Sequence, residues 1–142
     1  MNSILPYANL AVGWGLLILI WLVQLIIYPS FYRISPDEFA AYHKWYVKRI
    51  SSVVMPLMIS ELGLTAWWIL SDKHSTVSFF SGFLVFIVWL STFVLQVPIH
   101  NQLQTGKEDK LIQRLVMTNW IRTAAWSMKA GVVSIYAISR IF

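Results

Sequence analysis

The stretch that decides the fold is "ILPYANLAVGWGLLILIWLVQLIIY", residues 4–28, which contains no charged side chain. A helix of about 20 apolar residues crosses the hydrocarbon core of a bilayer. Three further stretches, residues 50–70, 77–95 and 117–138, approach this length. Spans with short connections satisfy their backbone in lipid as a helical bundle. We therefore expect an all-α integral membrane four-helix bundle, with residues 1–142 forming a single domain.

The composition agrees with a membrane protein. The chain is 58% hydrophobic and 12% charged, whereas a soluble domain has about a quarter charged residues. The net charge of +5 does not indicate nucleic-acid binding, because the basic residues lie at the ends of spans. Cysteine is absent, which excludes disulfides and thiolate chemistry. The first span is too long for a secretion signal and has no A-x-A cleavage site, so we expect it to be retained.

The distribution of basic residues predicts the orientation in the membrane. The opposite side has only Lys73 and Arg140, whereas connections one and three contain seven basic residues: Arg33, Lys44, Lys48, Arg49, Lys107, Lys110 and Arg114. By the positive-inside rule, connections one and three are cytoplasmic and both termini lie on the non-cytoplasmic side.

Prolines predict where helices begin and end. Tyr28 and Pro29 should close the first helix, and Ser35 should cap a second helix that begins at Pro36, with Glu38 completing a capping box. Gln24 before Pro29 and Gln96 before Pro98 give a faint sign of two related hairpins.

Polar side chains recur at one depth in the first, third and fourth spans. At ~1.5 Å per helical residue, Gln24, Gln96 and Arg122 fall at a common height near the cytoplasmic edge. Residues spaced i and i+4 share a helix face, which should point into the bundle rather than into lipid. The predicted layer consists of Gln24, Tyr28, Met55, Gln96, His100, Asn119, Arg122 and Trp126.

Two interpretations of this layer remain open. Amide side chains often only join helices, and an arginine near a helix end can extend to the interface. Alternatively, the layer is a ligand pocket that opens toward the cytoplasm. Arg122 has no acidic neighbour in the sequence, which favours the pocket.

Two charged residues are expected near the midplane. Glu61 lies eleven residues from Ile50, and Lys129 lies twelve residues from Met117. An unpaired charge at that depth is costly, so we expect a buried ion pair. A proton-carrying carboxylate or a metal ligand is the functional alternative.

The histidines do not predict a metal site. His43 is eighteen residues before Glu61, roughly 27 Å of helix, and His74 lies in an external turn. Only His43 and His100 could approach each other. No metal site is expected, and no motif indicates a haem or other cofactor.

Short motifs resemble the anthrone oxygenase-like family of small four-helix membrane proteins. These motifs are "QVPIHNQL" at 96–103, "TNWIRTAAW" at 118–126, "QLIIYPSF" at 24–31 and "PDEFAAYH" at 36–43, the last two similar to a bacterial branch. The sequence has His100 where many members have asparagine, and Trp120 where many have histidine. The resemblance implies a bacterial inner-membrane location and cofactor-independent oxygenase-like chemistry on an aromatic polyketide. For such chemistry, His100 would be the catalytic base and Arg122 the oxyanion clamp.

The residues leave three classes of function. The first is a membrane protein that binds, or binds and oxidises, a small flat apolar molecule with one anionic or carbonyl group. The second is a non-enzymatic subunit, a homo-oligomer or part of a larger membrane complex, in which the layer only joins helices. The third, a carrier using Glu61 and Lys129, is least favoured because no inverted repeat is present. A closed cavity of roughly a few hundred Å³ lined by Gln24, Gln96, His100, Asn119 and Arg122 would favour the first class. A fully interlocked layer would favour the second.

Overall fold

The computed structural model describes residues 4–140, and this part of the chain folds into four long helices without any strand. The all-α fold class is therefore confirmed. The helices are α1 (Ile4–Arg33), α2 (Pro36–Ser71), α3 (Thr76–Leu103) and α4 (Asp109–Ile138). The first and last residues, to which the expectation about the termini refers, lie outside this range.

Three of the helices could cross a membrane. By length and composition, α1, α2 and α3 are long and apolar enough, with mean hydropathies of 2.5, 1.6 and 2.1. Large apolar side chains on their outer faces are exposed, Leu25, Ile59 and Phe86 among them. Such a surface fits lipid rather than water. Helix α4 is more polar and contains Arg122 and Lys129 in its interior.

Each helix packs mainly against two others. Helices α1 and α3 both contact α2 and α4, so α1 lies diagonally opposite α3. Lys107 joins two connections at one end, because its Nζ donates to the carbonyl oxygens of Tyr32 at 2.8 Å and Ile34 at 2.9 Å. At the other end, Leu5, Trp68 and Val133 form a small apolar cluster. The connections α1–α2 and α3–α4 therefore lie at the same end of the molecule.

Pro29 does not end the first helix, so that prediction was wrong. The helix continues through Pro29 to Arg33, after a five-residue π-helical segment at Val23–Ile27. Proline lacks an N–H and its ring clashes with the carbonyl one turn earlier. A wider π turn before the proline accommodates this clash. Thr92–Gln96 forms a second π segment, which likewise ends two residues before a proline, Pro98. The faint sequence duplication thus has a structural counterpart.

The second helix begins where the sequence predicts. Ser35 is the N-cap residue, and its carbonyl oxygen accepts from the backbone N–H of Glu38 at 3.2 Å and of Phe39 at 3.0 Å. The capping box is not reciprocal, because the Ser35 hydroxyl donates to the Glu38 carboxylate at 3.0 Å and caps no backbone N–H. The helix then continues through Pro56 to Ser71.

We predict that Lys107→Met lowers stability. The substitution removes two charge-assisted hydrogen bonds to backbone carbonyls at the end of α1, and a bond of this kind contributes about 1 to 2 kcal/mol in a half-exposed position. The midpoint of thermal unfolding in detergent should fall, whereas the exposed Lys110→Met should leave it unchanged. Equal midpoints for the two variants would contradict a role for Lys107 in joining the connections.

Candidate functional site

A cavity of about 150 Å³ lies inside the bundle and is lined by residues from all four helices. A cavity of about this volume holds one benzene ring in an engineered protein. Most of the wall is apolar. Its polar lining comes mainly from Tyr28, Tyr46, Thr92, Gln96, His100 and Arg122. The cavity therefore suits one small ring with a polar substituent.

Arg122 is the charged group of the cavity wall and is only 7% exposed. Its Nε and Nη2 donate to Asn119 Oδ1 at 2.9 and 2.7 Å, and Nη1 donates to Thr92 Oγ1 at 3.3 Å. A guanidinium has five N–H donors, and these three contacts leave it without a charged partner. Within residues 4–140 the only ion pair joins Lys129 to Glu61. Arg122 is thus a buried cation without a carboxylate, and an anionic or carbonyl oxygen would satisfy it.

A chain of hydrogen bonds begins at the cavity wall and passes through two histidines. The Tyr28 hydroxyl lies 3.0 Å from His100 Nε2, and His100 Nδ1 lies 3.0 Å from His43 Nε2. Tyr28 is also 3.4 Å from Gln96 Oε1, and Gln96 Nε2 donates to Thr118 Oγ1 at 2.9 Å. His43 is fully buried, and its Nδ1 has no hydrogen-bond partner within residues 4–140.

Sequence reasoning recognised that His43 and His100 could approach, but it did not include His43 or Tyr46 in the site. The aromatic residues Tyr42, Trp45 and Tyr46 are expected from the sequence at the depth of the lipid headgroups. The available signal was spacing, because residues 43, 46, 47, 50 and 54 follow the i, i+3, i+4 pattern of one helix face. Tyr46, Val47, Ile50 and Val54 line the cavity.

The structure divides the predicted polar layer in two. Gln24 and Asn119 do not line the cavity. Instead, Gln24 Oε1 accepts from Asn119 Nδ2 at 2.8 Å and from Thr123 Oγ1 at 3.2 Å, while its Nε2 donates to the Val116 carbonyl at 3.1 Å. These residues join α1 to α4 and hold the oxygen that orients Arg122. The cavity wall contains the other members of the layer: Tyr28, Met55, Gln96, His100, Arg122 and Trp126.

Glu61 and Lys129 lie together, fully buried, with Lys129 Nζ 2.9 Å from Glu61 Oε1. Trp126 Nε1 donates to Glu61 Oε2 at 2.9 Å, and Lys129 Nζ is 3.4 Å from Asn9 Oδ1, which also accepts from Thr65 at 2.8 Å. This network joins α1, α2 and α4. Trp126 connects it to the cavity, since its ring lines the wall and lies 5.8 Å from the Arg122 guanidinium carbon.

The cavity has an open side between α2 and α3. Ser51 on α2 and Val97 and Asn101 on α3 are exposed lining residues, whereas Val23 on α1 and Trp126 on α4 are buried. Among residues 4–140, no group of three or more His, Cys, Asp or Glu side chains could hold a metal ion.

Comparisons with protein-family models, with curated proteins and with solved structures give no match to this chain. The functional argument therefore depends on the geometry of the site.

We predict that the ion pair acts as a unit. Lys129→Met alone leaves the Glu61 carboxylate buried without its cation, which should destabilise the protein by about 3 to 5 kcal/mol. The double variant Glu61→Leu/Lys129→Met removes both charges and should recover most of that loss, as measured by reversible unfolding in mixed detergent micelles. A double variant as unstable as the single one would show that the two charges contribute independently.

Proposed function

We propose that this chain is an integral membrane protein whose cavity binds a small, flat, apolar molecule through one anionic or carbonyl oxygen. The observation that carries the proposal is the position of Arg122. This cation is buried without a carboxylate and lines a cavity large enough for one benzene ring. A guanidinium with free N–H groups in an apolar enclosure binds an oxygen more strongly than it would in water.

The proposal places all four helices across a bacterial inner membrane. Helix α4 contacts α1 and α3 along the bundle, so it follows them through the bilayer, and its interior charges Arg122 and Lys129 face other helices rather than lipid. The connections α1–α2 and α3–α4 share one end of the bundle, and most of the basic residues lie in them or in the adjoining parts of the helices. By the positive-inside rule this end is cytoplasmic. Both termini are then non-cytoplasmic.

In this placement the gap between α2 and α3 opens to the lipid phase. The ligand would reach the cavity from the membrane, with its ring passing Ser51 and Val97 before its oxygen meets Arg122. This route favours a lipid-soluble molecule over a water-soluble metabolite. Met55 and Trp126 would pack against the ring.

An oxidation of the ligand is the enzymatic form of the proposal. For the oxygenase-like chemistry that the resemblance implies, His100 would be the base that makes an enolate and Arg122 the cation that holds its oxygen. Both side chains line the same cavity. A three-ring substrate exceeds a cavity of about 150 Å³, so the α2–α3 gap would have to widen around it.

A non-enzymatic subunit of a larger membrane complex is the second candidate. The interlocked bonds among Gln24, Asn119 and Thr123 favour it, because they are the helix-joining contacts that such a subunit needs. The cavity beside Arg122 favours ligand binding instead.

Ligand binding can be tested with two molecules of similar shape, benzaldehyde and styrene, of which only benzaldehyde has a carbonyl oxygen. We expect benzaldehyde to show stronger ligand-observed NMR saturation transfer from protein in nanodiscs, with empty nanodiscs correcting for partition into lipid. Arg122→Gln should weaken benzaldehyde binding about tenfold, the loss of a charge-assisted hydrogen bond. The exposed Arg114→Gln is the matched control. Unchanged binding in both Arg122→Gln and His100→Ala would overturn the proposed site.

The orientation can be tested by labelling single introduced cysteines, since the chain has no cysteine of its own that would react. A single cysteine at position 73 should react with a membrane-impermeant maleimide added to spheroplasts. One at position 105 should react only after the membrane is opened. The reverse pattern would place connections one and three outside.

A further inference from the structure

The hydrogen-bonded chain beside the cavity has an open end. Tyr28 and His100 line the cavity, whereas His43 lies behind them, buried against Phe31 and Phe39. The chain ends at His43 Nδ1, which has no hydrogen-bond partner within residues 4–140. A buried ring nitrogen without a partner is an uncommon feature that calls for an explanation.

Two arrangements of protons are compatible with the hydrogen bonds that join Tyr28, His100 and His43. In the first, Tyr28 donates to His100 Nε2, His100 Nδ1–H donates to His43 Nε2, and His43 Nδ1 has a hydrogen. In the second, Tyr28 donates to Gln96 Oε1, each histidine donates through Nε2–H, and His43 Nδ1 has a free lone pair. The distances of 3.0, 3.0 and 3.4 Å allow both arrangements.

We propose that the ligand belongs to the phenol class and that the Tyr28–His100–His43 chain takes up its hydroxyl proton, so that a phenolate is bound against Arg122. This inference rests on the proposed ligand-binding function and names the chemistry of the ligand. The structure brings together a cation for the oxygen and a series of acceptors for its proton in one cavity.

The proton transfer balances without any other reactant. Starting from the first arrangement, the phenol O–H bond breaks and its proton passes to the Tyr28 oxygen, while the Tyr28 proton passes to His100 Nε2. The proton on His100 Nδ1 passes to His43 Nε2, so the positive charge arrives at His43 as the phenolate forms. The products are a phenolate beside Arg122 and an imidazolium at His43, whose ring stacks on Phe39. The second arrangement differs from this state only by the proton on His43 Nδ1.

The acceptor chain distinguishes a phenol from other ligands of Arg122. A ligand that arrives as a carboxylate already has its negative charge, so it needs no proton acceptor beside the cation. A ketone or a quinone has no proton to give. A hydroxyl on a ring is weakly acidic, and it uses both the guanidinium and the chain. The single-ring size of the cavity agrees with a phenol.

The inference is tested with 4-nitrophenol, whose phenolate has its own absorption band, and with 4-nitrotoluene, which has the same shape and no ionisable proton. Protein in nanodiscs is titrated with each at a pH at which free 4-nitrophenol is largely protonated. We expect the phenolate band to appear on binding. His43→Gln should reduce the phenolate fraction of bound 4-nitrophenol about tenfold, while 4-nitrotoluene still binds. The matched control is His74→Gln, which alters a histidine in the exposed turn between α2 and α3.

The outcomes separate the inference from the proposed function. If both compounds bind and no phenolate band appears, the phenol assignment is wrong and ligand binding stands. If the band persists unchanged in His43→Gln, the assignment of the chain as acceptor is wrong. If neither compound binds, the proposed function fails together with the inference. Retained 4-nitrotoluene binding in His43→Gln shows that the variant is folded.

Discussion

The constraint on which the site depends is the guanidinium of Arg122, buried without a carboxylate. Lipid cannot solvate it, so the protein must supply its hydrogen bonds. Asn119 accepts two of them and Thr92 one. Asn119 is fixed in turn because its amide donates to Gln24. Three helices, α1, α3 and α4, therefore converge on one cation, which also lines the cavity.

Lys129 differs from Arg122 in having a carboxylate partner, although both are buried cations on the same helix. Lys129 lies seven residues after Arg122 on the same face of α4 and has a complete partner in Glu61. Trp126, between them, donates to that carboxylate and turns its ring toward the cavity. One buried cation is thus neutralised for stability, and the other is left available for an oxygen.

Depth counting along the sequence was sufficient to place Gln96, His100 and Arg122 at one height, because helical rise is nearly constant. It could not separate Gln24 and Asn119 from the cavity wall, since height does not give the rotation of a helix about its axis. It also left Tyr46 outside the site, because depth was counted from Ile50 as the cytoplasmic edge, although the helix itself was correctly expected to begin at Pro36. The π turn before Pro29, which keeps α1 intact, has no short sequence signature.

The two π segments connect the prolines to the cavity. Val23 begins the first segment, Thr92 begins the second and Gln96 ends it, and all three line the wall. A π turn contains an extra residue, so it rotates the side chains that follow it relative to a regular helix. In a regular helix, Thr92 and His100 are eight residues apart and would differ by about 80° around the axis. The extra residue of the π segment brings the two side chains closer to one face. The π segment before Pro98 therefore helps Thr92, which accepts from Arg122, and His100 to face the same cavity.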